Sequence, residues 1–439
     1  MPSNYAQLQL HNYSPFTGKG GEKLLQFIWQ FQYFNSAHLQ TTSGENVTVV
    51  HPGKLNKDQG PDFKDAKIKI GNTLLAGSVE LHIKTTDWFR HKHQNDPNYS
   101  NVILHVVFEN DCPHEDLPVL ELQPHISNFL LTRYNALMNA SDFIPCQHSI
   151  GGVKELTWLS WKERLLVERL TRKSAYVLKL LQQSNQHWEE TFWWMIARSF
   201  GVKVNTDAFE AIARSISVNV LAKHKSQIHQ LEALLFGQAS LLQSEFNEDY
   251  PKLLQREYRF LQKKYDLKPV HASLLFLRMR PGNFPTIRLA QMAALVQSSS
   301  HLFSKILETD NLKDVKKLFD VTANDYWHYH YSFDQGSSFK KKKLGEEMIN
   351  NLLINTVVPV LFSYGIYHKE EKYKEKALQW LQQLPSESNS VLQSFQNLNV
   401  SSSSAFDSQA LLELKNEYCG NKRCLECSIG NALLKSSAE

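Results

Sequence analysis

No stretch of this 439-residue sequence approaches the ~18 consecutive apolar residues of a spanning helix, so none is expected. The first 25 residues, MPSNYAQLQLHNYSPFTGKGGEKLL, lack the basic start and apolar core of a secretory leader, and a soluble cytoplasmic protein is the expectation. Charge of one sign is missing too. The 48 Lys and Arg stand against 44 Asp and Glu, a formal +4 at pH 7 with His neutral, which excludes a strongly basic chromatin-type binder and an acidic disordered tail. Cysteine is scarce and odd in number, five in all, so a disulfide framework is not expected. What is present, 42% hydrophobic and 11% aromatic residues, is enough for real cores and argues against disorder.

The texture changes once, near residue 126. Before it, short β-rich runs alternate with Gly, Pro, Asn and Asp; after it, helical periodicity with little Gly or Pro takes over. The first part reads as a helix at 22–34, strands at 46–50, 63–70 and 74–84, a short helix or loop over 87–99, and a nearly continuous apolar strand, VILHVVF, at 102–108. Gly71-Asn72 between two alternating runs is a hairpin signal, and 118–122 adds a further strand. The second part predicts at least eight helices, at 126–139, 157–183, 187–200, 208–215, 218–236, 250–265, 285–297 and 343–361. A Ser/Asn-rich surface connection at 386–404 then leads to a last helix near 407–418. The expected class is α+β: a mixed αβββαβ domain over 1–125, a large all-α domain over 126–385, and a connection, terminal helix and Cys-rich segment over 386–439.

The stretch QGPDFKDAKIKIGNTLLAGSVELHIK carries the chemistry. Side chains at i, i+2 and i+4 of a strand share one face, so Glu80, His82 and Lys84 project together, and the hairpin would set Asp62 beside them. Two carboxylates next to a basic group suit a hard divalent cation and an activated water for attack on phosphorus. The bland alternative is the solvated face of an ordinary antiparallel pair. His91, His93, Asp96, Tyr99 and His105 follow closely, and this crowding favours a site; His105, inside VILHVV, reads either as a ligand or as a hydrogen-bonded core residue. The run HKHQND also suits Zn²⁺ or Mn²⁺.

Pro61-Asp62 and Glu80-Leu81-His82 resemble the PD and (D/E)XK elements of the PD-(D/E)XK nuclease superfamily, with His in the place of Lys, and the order of elements over about 22–122 resembles its restriction-endonuclease-like core. The resemblance implies Mg²⁺ or Mn²⁺ on Asp62, Glu80 and the Leu81 carbonyl, and His82 as the group orienting water. His is neutral for much of the range near pH 7, and Lys84 is the alternative source of fixed charge. Over its whole length the chain resembles a bacterial family of unknown function, numbered 2851, on the blocks VELHIKTxDW, FLRMRPxNFP and the C-terminal Cys-rich segment.

Cys419-x4-Cys424-x2-Cys427 fits soft-metal ligation, by either an iron–sulfur cluster or Zn²⁺. The fourth ligand is Cys146 in FIPCQH, Cys112, or, for zinc, His148. Three reduced thiols on a helix and turn are the bland alternative. Trp158, Trp161, Trp188, Trp193 and Trp194 fall at helical spacings typical of core. Arg278, Arg280 and Arg288 flank a Pro-Gly-Asn-Phe-Pro loop leading into a helix, an arrangement for nucleic-acid phosphate or for a structural carboxylate. Lys340–Lys343 reads as solvated surface or as a nucleic-acid contact. The expected function is metal-dependent phosphodiester hydrolysis on DNA or RNA. The alternatives are a non-catalytic nucleic-acid or protein-binding module with a structural metal, and a zinc hydrolase built on His91, His93 and His105. No membrane partner is expected.

Overall fold

Apolar residues at helical spacing in GGEKLLQFIWQF form α1 (Gly20–Phe31), burying Leu24, Leu25, Phe27, Ile28 and Trp29. A computed structural model of the chain describes residues 20–113, 116–270, 273–299 and 301–435; the first 19 and last four residues of the expected domains lie outside the described residues. Five strands follow the sequence expectation closely, β1 (Val47–His51), β3 (Phe63–Ile70), β4 (Thr73–Lys84), β5 (Val102–Glu109) and β6 (Val119–Glu121), and a two-residue β2 (Lys54–Leu55) is additional. The sheet order is β1-β3-β4-β5-β6, with β2 also pairing with β3. β3 and β4 are an antiparallel hairpin turning at Gly71-Asn72, whereas β4–β5 and β5–β6 are parallel. The connection from β4 to β5 carries α2 (Thr86–Arg90) and two 3₁₀ turns, His93–Asn95 and Pro97–Tyr99. α3 (Asn128–Asn139), N-capped by the Ser127 hydroxyl, comes after the sheet.

By packing, the chain forms two units, residues 1–161 with 414–439 and residues 162–413. This partition differs from the expected boundaries at 125/126 and 385/386. It falls inside α4 (Glu155–Gln183), and the Cys-rich tail packs with the sheet domain instead of standing as a third region. Local texture reports secondary structure and not which segments pack together, and the two need not change at the same residue.

The second unit, expected to be all-α, is helical apart from a short antiparallel pair of strands, His330–Ser332 with Gln335–Gly336. Its helix Pro285–Ser298 is buried almost all round. The segment Glu346–His368 runs through a π turn at Leu353–Val357 and is the one described helix long and apolar enough to cross a membrane; 72% of its most apolar window is buried inside the fold, as in a core helix. The expected helix at 218–236 is two, Val218–Lys223 and Ile228–Gln238, because His224 leaves the helix to bond Gln230 and the Tyr265 hydroxyl. The expected connection at 386–404 contains a helix, Ser390–Asn397, capped by Asn389 and burying Leu392 and Phe395.

Trp161, Trp193 and Trp194 are core residues, and Trp188 stacks on Phe303. The aromatic–His stretch 327–331, whose role the sequence leaves open, serves a buried acid. The Trp327 indole and the Tyr250 hydroxyl donate to Glu232 Oε2 at 2.9 and 2.8 Å.

Gly237 in Ile228–Gln238 faces the Tyr258 ring so closely that a Cβ there would lie 2.1 Å from Cδ2. Gly237→Ala is therefore expected to destabilise the protein by about 1–3 kcal/mol through overpacking, read as a lower urea midpoint at unchanged slope.

Candidate metal centre

The hairpin is one residue out of regular register at its base. From Ile70↔Thr73 an uninterrupted ladder would carry Asp62 opposite Leu81, eight residues along on each strand. The pairs instead run Ala66↔Gly77 and then Phe63↔Val79, so β3 holds one extra residue at Lys64–Asp65, where Asp65 has φ 60°. This bulge moves the next position, Asp62, to Glu80. The contact is reciprocal: the Asp62 backbone N–H donates to Glu80 Oε2 at 2.9 Å, and the Leu81 N–H donates to Asp62 Oδ2 at 3.2 Å. Asp62 Oδ1 also accepts from Gln26 Nε2 of α1 at 2.8 Å.

Both carboxylates are held in an electrostatically uncomfortable state. Burial pushes Asp62 up to about 7, with the charge of Glu22 adding to it. Burial and then the neighbouring Asp62 push Glu80 up to about 9. Among the described residues no lysine or arginine forms an ion pair with either. What faces Glu80 Oε1 is imidazole: His93 Nε2 at 3.5 Å and His82 Nε2 at 3.6 Å.

His82, His91 and His93 each bring a ring nitrogen within 4.8 Å of the others. His82 Nε2 lies 3.1 Å from His91 Nδ1, and His82 Nδ1 lies 2.9 Å from His105 Nε2 on β5. His105 arrives there because parallel pairing sets it beside Glu80. His93 stacks on Tyr99 with centroids 3.8 Å apart. Burial, then the adjacent His105, His93 and His91, push His82 down to about 2, and burial also lowers His93. Neutral imidazoles are the form that ligates metal.

If His82 offers Nε2 to an ion, its Nδ1–H is left to donate to His105 Nε2, which sets the ring's tautomer and orientation. The chemistry of the set therefore fits a divalent cation held by Glu80 Oε1 and two or three imidazoles, with Asp62 alongside. Imidazole ligands favour Mn²⁺ or Zn²⁺ over Mg²⁺.

Lys84 is not brought to this group. It is half-exposed, with its ammonium 3.6 Å from Glu109 Oε2 and 3.9 Å from Asp111 Oδ2. Of the three candidate arginines, Arg278, Arg280 and Arg288, all in the second unit, Arg278 and Arg280 are exposed. Arg288 is buried, its guanidinium donating to Gln291 Oε1 and Asn283 Oδ1 at 2.9 and 2.6 Å. The lysine run is partly structural as well: buried Lys342 sits 3.7 Å over the Tyr331 ring and Lys343 pairs with Asp320.

Cys146, Cys419, Cys424 and Cys427 all fall in the first unit. Cys112 lies beside Asp111, and His148 is mostly exposed and pairs with Asp142. Sequence reasoning missed Glu22 and Gln26. Two polar residues four apart in the otherwise apolar EKLLQFIW were the available signal, since they share a helix face.

The fold and site define a mixed α/β domain with a carboxylate–imidazole centre, joined in one chain to a helical unit. A family model described as "Protein of unknown function (DUF2851)" matches residues 22–390, and the chain belongs to that family. No curated protein and no solved structure matches it.

Proposed function

We propose that the protein is a metal-dependent phosphodiester hydrolase acting on nucleic acid, with a restriction-endonuclease-like first domain of the PD-(D/E)XK type. One observation carries the reading: buried Glu80 and half-buried Asp62 lie side by side, and among the described residues no lysine or arginine pairs with either, the state that a bound divalent cation relieves. A cation here supplies Lewis acidity toward a phosphoryl oxygen and makes water a nucleophile near neutral pH. The chain's own part is to hold Asp62 with Gln26 and the Leu81 amide, to fix Glu80 with the Asp62 amide, and to keep His82 neutral and oriented by His105.

The binding-module alternative has one specific support, the diversion of Lys84 to Glu109 and Asp111, which among the described residues leaves no lysine paired with the carboxylates. The test is cleavage of single-stranded, duplex and branched DNA and RNA with Mn²⁺, Mg²⁺ or Zn²⁺. Cleavage is expected to be best with Mn²⁺ or Zn²⁺, and to fall by about 10²-fold or more in Asp62→Asn and Glu80→Gln. Wild type and variants that behave alike with every metal would leave the binding module.

A further inference from the structure

The Cys-rich tail is bound to the first unit by groups other than its sulfurs. Lys415 and Lys422 donate to the carbonyls of Phe143 and Met138. Arg133 Nη1 donates to the Leu433 carbonyl and the Tyr33 hydroxyl to Asn431 Oδ1, both at 2.9 Å. These contacts bring Cys146, in the turn after α3, to Cys419 at the end of the π turn Leu414–Cys419, to Cys424 in the 3₁₀ turn Cys424–Glu426, and to Cys427 just before the helix Ser428–Lys435. Packing between the last two elements leaves no room to spare, since a Cβ on Gly430 would sit 2.2 Å from the Cys424 carbonyl oxygen.

The sulfurs form one group. Cys146, Cys424 and Cys427 are buried. Burial raises every one of the four thiols, and neighbouring sulfurs raise them further: Cys427 and Cys424 act on Cys146, all three others act on Cys419, and Cys427 acts on Cys424. Yet the backbone N–H groups of Ile429 and Gly430 and the Trp161 indole, beside Cys427, act in the opposite direction and lower it. N–H groups beside a buried sulfur favour its thiolate, the form that ligates metal. Four neighbouring thiols, three of them buried, suit metal ligation better than four free S–H groups.

Spacing selects the kind of metal centre. Among the described residues the group of three ligand atoms closing within 4.8 Å is His82, His91 and His93, and no three of these sulfurs do so. A single tetrahedral zinc, with bonds of about 2.3 Å, would hold its sulfurs about 3.8 Å apart. Sulfurs spread more widely than that leave room for a centre with several metal atoms, each taking one thiolate.

We propose that Cys146, Cys419, Cys424 and Cys427 ligate one iron–sulfur cluster that fastens the C-terminal segment to the sheet domain. Sulfide and iron, as ferrous and ferric ions in the proportion that the cluster holds, are the components supplied, so assembly needs no further oxidant or reductant. Each thiol loses its proton to solvent as its sulfur bonds iron, and the cysteine sulfur keeps its oxidation state.

The test is anaerobic purification of the full chain with iron, zinc and acid-labile sulfide analysis and visible absorption. Expected are iron and sulfide in about a 1:1 ratio and a broad charge-transfer band bleached by dithionite. Cys146→Ser and Cys424→Ser are expected to lose most of the iron, and Cys112→Ser to retain it. Asp62→Asn is expected to keep the colour while losing hydrolysis, so the cluster and the proposed activity stand or fall separately. If the cysteine variants prove insoluble, Mössbauer spectra of iron-57-labelled wild type decide. Zinc without sulfide would overturn the proposal. So would wild type that stays metal-free after anaerobic reconstitution with iron and sulfide, or a Cys112→Ser loss equal to that of Cys146→Ser.

Discussion

In the metal-free protein, Glu80→Gln is expected to raise the melting temperature at pH 8 and to flatten its dependence on pH. Glu80 is pushed from the ordinary carboxylate range up to about 9, so between roughly pH 4 and 9 the folded chain holds a proton that the unfolded chain has released. The unfolded state then binds fewer protons, and stability falls as pH rises through that window, levelling off outside it. Asp62, at about 7, adds a fall of the same sign over a narrower range. Above about pH 7 the other groups facing Glu80 leave this sign in place: Asp62 and Glu22 are acidic, while His82 and His93, held neutral in the fold, make stability rise with pH only below the ordinary imidazole pKa of about 6.5. Glutamine keeps an oxygen for the Asp62 N–H but carries no charge to desolvate. The gain at pH 8 should be on the order of a few kcal/mol, because each pKa unit is worth about 1.4 kcal/mol. Calorimetry in chelator from pH 7 to 9 reads it, and a wild-type profile that rises with pH over that range would contradict the assignment. Mn²⁺ should abolish the difference by restoring the wild type, since a ligand of the native state stabilises it by mass action.

His82→Ala is expected to weaken Mn²⁺ binding by about 100-fold or more, the largest effect on affinity in the site. His82 is the hub, with nitrogens at 2.9 Å from His105 and 3.1 Å from His91, and it faces Glu80. His105→Phe removes no proposed ligand but releases the orientation of His82, and a loss of about 10–100-fold is expected. Lys84→Ala, remote from the centre and paired elsewhere, should change affinity by less than about twofold. Isothermal titration of the three variants separates ligand, orienting group and bystander. An equal loss in all three would mean that the effect is on folding, which circular dichroism would show.

Much of the sheet domain was legible because its signals are local. Alternation marked β3 and β4, Gly71-Asn72 marked their turn, and the apolar run VILHVVF marked a strand paired on both sides. His105 shows the limit of such reading. Its place inside an apolar strand fitted a hydrogen-bonded core residue more readily than a ligand, and only the pairing of β4 with β5 reveals it as the residue behind His82. Lys84 shares its strand face with Glu80 and His82, yet the acids at Glu109 and Asp111 draw its long side chain away. Arg288 looked like an anion clamp from its neighbours in sequence, whereas burial commits it to Asn283 and Gln291.

By itself the sequence determined that Glu80 and His82 share one face of a strand, since side chains alternate with period two whatever surrounds them. It also placed three cysteines, Cys419, Cys424 and Cys427, within nine residues of one another. Tertiary structure decided which partners those groups meet. A regular hairpin would have left Asp62 across from Leu81, on the wrong face; one surplus residue at Lys64–Asp65 puts it against Glu80. Likewise Cys146, and not Cys112, joins the tail. Register slips and long-range closures are set by the summed packing of distant segments, and no local pattern encodes that sum.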